Sequence, residues 1–180
     1  MTGKTQILPF DRQNSQLRRQ AAQLLADCFP HAYEDCAAGQ TDACLDPERL
    51  AFMALEDGQL AGFVGAIPQY SHAWELHPLA VRADCRGQGI GAALLQALEA
   101  ECARRGVLTL FLGTDDEFYE TSLSASNLFY ETYQKMAQAK NLAQHPFTFY
   151  QKCGYQIVGV IPDANGLRKP DILMAKSLHG

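Results

Sequence analysis

Three glycines, Gly87, Gly89 and Gly91, stand directly before a predicted amphipathic helix, and Arg86 precedes them. Glycine lets a backbone approach a ligand closely, and the first turn of a helix offers unpaired N–H groups to an anion. The segment therefore indicates a site for a phosphate-bearing ligand, with the arginine as a fixed positive charge. A flexible glycine-rich loop is the alternative, and the glycines alone do not decide between the two.

The same glycines match the dinucleotide-binding fingerprint as Gly87-x-Gly89-x-x-Ala92. In that motif a strand runs straight into the first glycine and opens a βαβ unit. Here an antiparallel hairpin and a mostly polar step, residues 82–86, come first. The sequence therefore favours a different kind of pyrophosphate loop.

Acid–base chemistry is suggested by Glu75 and His77, which are two residues apart on a predicted strand and so share one face of it. A carboxylate at this place could take a proton from a substrate ammonium, directly or through water, and the imidazole could share that work. A surface glutamate and a merely hydrogen-bonded histidine are the alternatives.

Tyr150 lies in an aromatic cluster with Phe147 and Phe149. A tyrosine in such a cluster serves equally well as a core aromatic or as a phenol in a site. The residues alone leave both interpretations open.

Asp115 and Asp116 follow a predicted buried strand, so they are expected at the end of a sheet, where ligand sites often occur. Carboxylates clustered there would attract a ligand with several ammonium groups. An ordinary solvated acidic turn is the alternative. Tyr70 and the acids Glu34 and Asp35 could add to the same wall.

Length and charge restrict the function classes. The 180 residues suffice for one domain, residues 1–180, and the composition of 47% hydrophobic and 19% charged residues is that of a globular protein. The net charge of -5 argues against sequence-independent binding of nucleic acid and fits a cationic partner better. No stretch approaches the length of a membrane helix or a signal peptide, so we expect a soluble cytoplasmic protein.

The six cysteines and five histidines show no metal-ligand spacing. There is no C-x-x-C pair and no pair of histidines four residues apart. We expect free thiols and no metal.

Periodicity and turn signals predict a mixed α/β domain built mainly on one sheet. Asp57-Gly58 predicts a hairpin turn, and Pro78 predicts a bulge or an interrupted edge, because proline cannot donate to a strand ladder. The acidic residues 31–47 carry only a weak pattern. Strands are predicted at residues 5–10, 50–55, 60–67, 73–81, 107–112, 155–161 and 172–175, and helices at 15–29, 90–105, 124–139 and 146–152.

The pattern Arg86-x-x-Gly89-x-Gly91 resembles the acyl-coenzyme A pyrophosphate loop of the GCN5-related N-acetyltransferase (GNAT) superfamily, and the order of elements agrees across most of the chain. The resemblance implies an α/β (α+β) fold with a single mixed, largely antiparallel sheet, a bulged central strand and flanking helices. In this family the pantetheine arm of the coenzyme lies against the bulged strand almost as an extra strand, which would explain a proline at position 78.

Longer motifs between about residues 46 and 175 resemble the aminoglycoside 6'-N-acetyltransferases and are far more specific than the glycine loop. They are Asp46-Pro-Glu-Arg49, Gly62-Phe-Val-Gly-Ala-Ile-Pro-Gln-Tyr70, Trp74-Glu-Leu-His-Pro-Leu79, Leu112-Gly-Thr-Asp-Asp116, His145-Pro146, Phe149-Tyr150, Val158-Gly-Val, Asn165-Gly166 and Lys169-Pro-Asp-Ile172.

This resemblance implies a role for each catalytic candidate. It gives Glu75 a base or orienting role, with His77 as the second candidate. The backbone N–H of Leu79 would donate to the thioester oxygen, and Tyr150 would protonate or stabilise the leaving thiolate. The substrate would be held by Tyr70, Glu75, Asp115 and Asp116, and the coenzyme by Leu79, Val81, Arg86, Gly87, Gln88, Gly89, Ile90, Gly91 and Ala92.

The activity implied is direct transfer of the acetyl group of acetyl-coenzyme A to the 6'-amino group of an aminoglycoside, within a ternary complex. The family also implies a homodimer. Two alternatives remain at this stage: acetylation of another amine, such as a polyamine or a protein N-terminus, and a coenzyme A-binding sensor without catalysis.

Overall fold

The structure, a computed structural model, describes residues 5–33 and 36–179. These residues form two compact units, one that extends to Leu108 and also takes in His179, and one at Thr109–Leu178. No helix within the described ranges combines the length and the apolar character that a bilayer crossing requires.

Four antiparallel strands form the sheet of the first unit: β1 (Gln6–Pro9), β2 (Leu50–Glu56), β3 (Gln59–Pro68) and β4 (Ala73–Val81). Each strand pairs with the next one along the chain. The predicted turn between β2 and β3 is confirmed, because Asp57 and Gly58 both have positive φ, 49° and 78°. A type I′ hairpin turn requires this conformation at both positions.

The bulge predicted from Pro78 is confirmed in β4. The register shifts by one residue, so His77 and Pro78 together face the single residue Gly65 of β3. A Cβ atom at Gly65 would lie 2.7 Å from the carbonyl oxygen of His77. The bulge therefore depends on a glycine in the neighbouring strand. The shift lies between the pairs Val64–Leu79 and Ala66–Leu76.

Helices cover the first unit: α1 (Ser15–Cys28), α2 (Pro30–Tyr33), α3 (Ala37–Cys44), a 3₁₀ turn at Ala83–Cys85, and α4 (Ile90–Arg104). The side chain of Asn14 caps α1 by accepting hydrogen bonds from the N–H groups of Gln16 and Leu17. The predicted apolar face of α1 is confirmed, and it packs into a core that includes Phe10 and Phe63.

The short helices α2 and α3 were not predicted from the weakly patterned residues 31–47. α2 has no buried residue, and α3 buries only Thr41 and Cys44. Neither helix has an apolar stripe of the width that marks an amphipathic helix in a sequence.

The second unit has three strands, with β7 (Asp171–Ser177) between β5 (Thr109–Asp115) and β6 (Gln156–Ile161) and antiparallel to both. Its helices are α5 (Thr132–Ala137) and α6 (Phe147–Lys152), with a 3₁₀ turn at Ser122–Ala125. The predicted strands and the predicted short helix near 146–152 are confirmed with small changes of their ends.

The helix predicted at residues 124–139 is wrong. Only Thr132–Ala137 is α-helical there. The hydroxyl of Ser124 is turned to the carboxylate of Asp116, and the side chain of Asn127 accepts a hydrogen bond from the N–H of Phe129. Serine and asparagine side chains that bond in this way hold the backbone in turns and compete with a continuous helix.

All six cysteines are free thiols, which confirms the prediction. Burial raises the pKa of Cys44 and of Cys85 to about 11, and that of Cys102 to about 12. These three thiols stay protonated at neutral pH. Cys44 and Cys102 act as small apolar core residues, whereas the thiol of Cys85 donates to the carboxylate of Glu56 at 3.4 Å.

Substitution of Gly65 by Ala is expected to lower the free energy of unfolding by about 1–3 kcal/mol, because the new methyl group must displace the carbonyl oxygen of His77. Gly39→Ala in α3 is the matched control. No atom lies within 4 Å of a Cβ there, and alanine in a helix should stabilise the protein by about 0.5–1 kcal/mol. Thermal unfolding followed by circular dichroism measures both, and equal losses in the two variants would contradict the role of the glycine.

Candidate functional site

The predicted anion-binding loop leads into the N-terminus of α4. Gly87 and Gly89 have left-handed φ values of 74° and 83°, and no atom lies within 4 Å of a Cβ built on either. Their conformation, and not crowding, therefore requires glycine. Gly89 is the N-cap and offers no side-chain cap, and the N–H of Ala93 is bonded to its carbonyl oxygen. The N–H groups of residues 90–92 precede the first intrahelical bond and can receive an anion.

Two side chains of this loop are held by hydrogen bonds. Arg86 donates from Nε to the carbonyl oxygen of Val81 at 3.1 Å and from Nη2 to the sulfur of Cys28 at 3.4 Å. These contacts use part of the five N–H donors of a guanidinium, so the others can serve a ligand. Gln88 donates to the carbonyl oxygen of Asp84 at 3.0 Å. The side chain of Ile90 is buried in the core, so only its backbone can meet a coenzyme.

Glu75 lies on β4, before the bulge. Its Oε2 atom accepts a hydrogen bond of 2.8 Å from Nε2 of Gln69, which follows β3. Across the sheet Glu75 pairs with Ile67. The amide of Gln69 therefore fixes one carboxylate oxygen of Glu75.

A cavity of about 320 Å³ is lined by residues around Ile67. Directly paired residues of antiparallel strands point to the same face of the sheet, so the side chain of Glu75 lies beside that of Ile67, one of the residues that line this cavity. Its lining carries two carboxylates and one guanidinium. The lining residues are Ala43, Asp46, Glu48, Arg49, Ile67 and Pro68.

His77 is half-buried in the bulge, and its Nε2 atom lies 3.1 Å from the hydroxyl oxygen of Tyr33. Burial lowers the pKa of His77, the carboxylate of Glu75 opposes this shift, and the guanidinium of Arg49 adds to it. The imidazole is therefore neutral at neutral pH. Because the bulge begins at His77, strand pleating alone does not put it on the face of Glu75, but the two groups are near enough for the carboxylate to act on the pKa of the imidazole.

Three other predicted residues lie on β4 or in the turn that precedes it. Leu79 and Val81 are half-buried on β4 beyond the bulge, and they pair with Val64 and Gly62. Tyr70 lies in the turn between β3 and β4, where its N–H donates to the carbonyl oxygen of Ala73 and 68% of its surface is exposed.

Tyr150 is half-buried on α6 in the second unit. Its ring packs edge-on against Phe149 and Tyr155, with centroid distances of 5.2 and 5.8 Å. Burial raises the pKa of Tyr150 above its usual value, and the nearby thiol of Cys153 adds to the effect. The phenol is therefore a neutral proton donor over the physiological pH range.

Asp115 is exposed at the end of β5. One of its carboxylate oxygens accepts a hydrogen bond from Nδ2 of Asn165. The carboxylate remains open to solvent and can meet a cationic ligand.

Asp116 is fully buried, which corrects the prediction that its carboxylate faces a substrate. One oxygen accepts the N–H of Glu120 at 2.7 Å, and the other accepts the N–H and the hydroxyl of Thr121 and the hydroxyl of Ser124. Burial alone would raise the pKa of Asp116, but these hydrogen bonds outweigh it and hold the pKa below its usual value. The carboxylate is a structural anion that folds the chain around itself.

His145 is a buried residue whose role was not predicted from the residues alone. Its Nδ1 atom accepts the N–H of Phe147 at 3.2 Å, and its Nε2 atom lies 3.1 Å from the carbonyl oxygen of Asp115. An N–H can only donate and a carbonyl can only accept, so the two backbone groups fix the proton on Nε2. His145 thereby connects the start of α6 to the end of β5.

Three side chains that contact or influence Glu75 and His77 were missed: Tyr33, Gln69 and Arg49. The last two lie within the motifs that carry the family resemblance, so the motifs contained them without assigning a role. Tyr33 lies in the weakly patterned segment and gave no signal. Glu34 and Asp35, named as further acids, lie outside the described residues.

Comparison with known proteins gives consistent matches. The model of the acetyltransferase (GNAT) family matches residues 18–124. The crystal structure of an aminoglycoside 6'-N-acetyltransferase complexed with coenzyme A is 46% identical, with 97% of this chain and 98% of that chain covered and a TM-score of 0.95. The aminoglycoside 6'-N-acetyltransferase from Enterococcus faecium is 46% identical with the same coverage and a TM-score of 0.93. An aminoglycoside 6'-acetyltransferase of type Ii is 41% identical, again with 97% and 98% covered, and has a TM-score of 0.79. No curated protein matches the chain.

Asp116→Asn is expected to lower the free energy of unfolding by about 3 kcal/mol near pH 7, because a buried anion with donors on both oxygens is lost. The pKa of Asp116 is lowered in the folded protein. Its contribution is therefore present above the unfolded pKa of about 4 and is lost as the pH falls through the folded value. The deficit of the variant should shrink below about pH 4.

Asp115→Asn is the matched control, because it makes the same change one residue away on an exposed carboxylate. Urea unfolding of both variants at pH 7 and pH 3.5 separates them. Equal deficits at positions 115 and 116, or a deficit at 116 that grows in acid, would contradict the structural role of Asp116.

Proposed function

The chain belongs to the GNAT acetyltransferase family, and from this premise we propose that it transfers the acetyl group of acetyl-coenzyme A to the 6'-amino group of an aminoglycoside. The GNAT fold predicted from the sequence is confirmed by the structural matches. The observation that carries the substrate proposal is 46% identity over nearly the full length of both chains to an aminoglycoside 6'-N-acetyltransferase complexed with coenzyme A.

The first unit has the groups that an acyl-coenzyme A ligand needs. The open N–H groups at the start of α4 and the guanidinium of Arg86 suit a pyrophosphate. Gly87, Gln88 and Gly89 would shape the loop, and the half-buried stretch from Leu79 to Val81 would line the pantetheine arm. Acetyl-coenzyme A supplies the acetyl group as a thioester, and coenzyme A leaves as a thiol.

Glu75 is the proposed general base. An aminoglycoside amine is an ammonium near neutral pH and attacks only after losing a proton. Gln69 holds Oε2 of Glu75, which leaves Oε1 to accept that proton directly or through water. His77 is the second candidate, because it is neutral and so has a basic nitrogen.

Two further groups would act on the developing charges. The backbone N–H of Leu79, directly after the bulge, would donate a hydrogen bond to the carbonyl oxygen as it gains charge. Tyr150 would protonate the departing thiolate or stabilise it by a hydrogen bond, and its raised pKa keeps the phenol protonated at working pH. The nitrogen–carbon bond forms as the carbon–sulfur bond breaks, without a covalent enzyme intermediate.

Cationic groups of the substrate would meet carboxylates. Asp46 and Glu48 line the cavity beside Glu75, which has room for an aminosugar ring. Asp115 and Tyr70 are exposed and would contribute further contacts. Asp116 is left out of this proposal because its carboxylate is used inside the fold.

Domain organisation, assembly and location are also proposals. A single domain is supported by the family match, since residues 18–124 run across the division at residue 108. A homodimer is supported by β6, the outer strand of the second unit, which exposes Val158 and Ile161. Six free thiols fit a reducing compartment such as the cytoplasm.

Two aminoglycosides that differ only at the 6' position, one with an amine and one with a hydroxyl, test the function. We expect acetylation of the amine alone, because a carboxylate is too weak a base to activate a hydroxyl. The hydroxyl compound should inhibit competitively, since its other ammonium groups are unchanged. Thiol release from acetyl-coenzyme A and the mass of the product measure the outcome.

The alternatives give different results in the same assay. Acetylation of both compounds would show that another amine of the drug reacts. Acetylation of a polyamine, with neither drug reacting, would identify a different amine as substrate. Binding of coenzyme A without any thiol release would identify a sensor.

Glu75→Gln is expected to lower kcat/KM by about 100-fold at pH 6. The deficit should shrink towards pH 9, where more of the substrate amine is already neutral. Asp42→Asn, on the exposed surface of α3, removes the same charge and should leave activity unchanged. Steady-state rates between pH 6 and 9 provide the measurement, and a loss that stays constant with pH would point to a binding role for Glu75.

A further inference from the structure

Tyr33 joins α2 to the bulge of β4. Its hydroxyl oxygen lies 3.1 Å from Nε2 of His77, and its ring stands edge-on to the imidazole with a centroid distance of 6.4 Å. On its other side the ring packs edge-on against Phe29 at 5.8 Å. The phenol is thus held by two aromatic neighbours and aimed at one ring nitrogen of His77.

The contact between Tyr33 and His77 lies at the bulge, where strand pleating does not set the direction of the His77 side chain. In a regular strand the pleat sets the direction of each side chain, but His77 and Pro78 share one partner, Gly65. The backbone of His77 is fixed by the close approach of its carbonyl oxygen to Gly65. Its imidazole contacts the hydroxyl of Tyr33 through Nε2.

The neutral state of His77 favours one direction for the hydrogen bond. Burial keeps the imidazole neutral, and the charges of Glu75 and Arg49 have opposite effects on its pKa. A neutral imidazole has one N–H and one basic nitrogen. A phenol is a stronger acid than an imidazole N–H, and an imidazole nitrogen accepts better than a phenol oxygen. The favoured bond therefore runs from the hydroxyl of Tyr33 to Nε2 of His77.

We propose that Tyr33 is a positioning residue that donates its hydroxyl to Nε2 of His77, fixes the imidazole proton on Nδ1, and so leaves Glu75 as the base. This inference rests on the proposed acetyl transfer and decides between its two candidate bases. With Nε2 occupied and Nδ1 protonated, His77 presents only an N–H. It can then orient a neighbouring oxygen but accepts no proton from the substrate.

Nitrogen-15 NMR of the labelled full chain tests the tautomer without any substrate. We expect the His77 signals, assigned by their loss in His77→Asn, to show an unprotonated Nε2 and a protonated Nδ1. Tyr33→Phe keeps the ring packing and removes the donor. It should raise the pKa of His77 by about 0.5 to 1, the size of one lost neutral hydrogen bond. Tyr133→Phe, in which the same change is made at an exposed ring, should leave the His77 signals unchanged.

Kinetics then separate positioning from a structural effect. Tyr33→Phe should lower kcat a few-fold with an unchanged KM for acetyl-coenzyme A, and it should have no further effect when combined with His77→Asn. A protonated Nε2 in the unmodified protein, or His77 signals that Tyr33→Phe does not move, would overturn the inference even if aminoglycosides are acetylated. The expected NMR signature without any acetylation would instead overturn the proposed function.

Discussion

The close approach between Gly65 and the bulge of β4 is the constraint on which the arrangement of the first unit depends. The carbonyl oxygen of His77 occupies the space that a side chain at position 65 would fill. Because β4 gains one residue there, Glu75 stays paired beside Ile67 and Leu79 resumes pairing beyond the bulge. The backbone of His77 is thus set by β3 and its imidazole by α2, through Tyr33. The absence of a Cβ atom at Gly65 allows the backbone position.

Features with a local cause were predictable from the sequence, and features with a distant cause were not. The faces of α1 and α4, the Asp57-Gly58 turn and the bulge at Pro78 follow from spacing and from the stereochemistry of single residues. Within the site, Glu75 and His77 could be named because they are neighbours on one strand. Tyr33 could not, since it meets His77 across 44 positions of the chain.

The different environments of the neighbouring acids Asp115 and Asp116 could not be predicted from the sequence either. Their types and their place after β5 are alike, yet one is exposed and the other carries no exposed surface. The difference is made by the donors that follow, since the N–H groups of Glu120 and Thr121 and the hydroxyl of Ser124 converge on Asp116. This convergence also accounts for the wrongly predicted helix. Two consecutive aspartates in a sequence indicate an acidic site, but only the folded structure shows which carboxylate is exposed to a ligand.

The hydrogen bonds of Arg86 restrict the conformations of its side chain before any ligand binds. An arginine on a surface loop normally samples many rotamers and loses that freedom when it grips an anion. Here the carbonyl oxygen of Val81 and the thiol of Cys28 already restrain the guanidinium. The side chain of Arg86 therefore loses most of its conformational entropy when the protein folds, and little more is lost when a ligand binds. In the proposed coenzyme site the loop would therefore act as a preorganised receptor, because Arg86 has little side-chain entropy left to lose on binding.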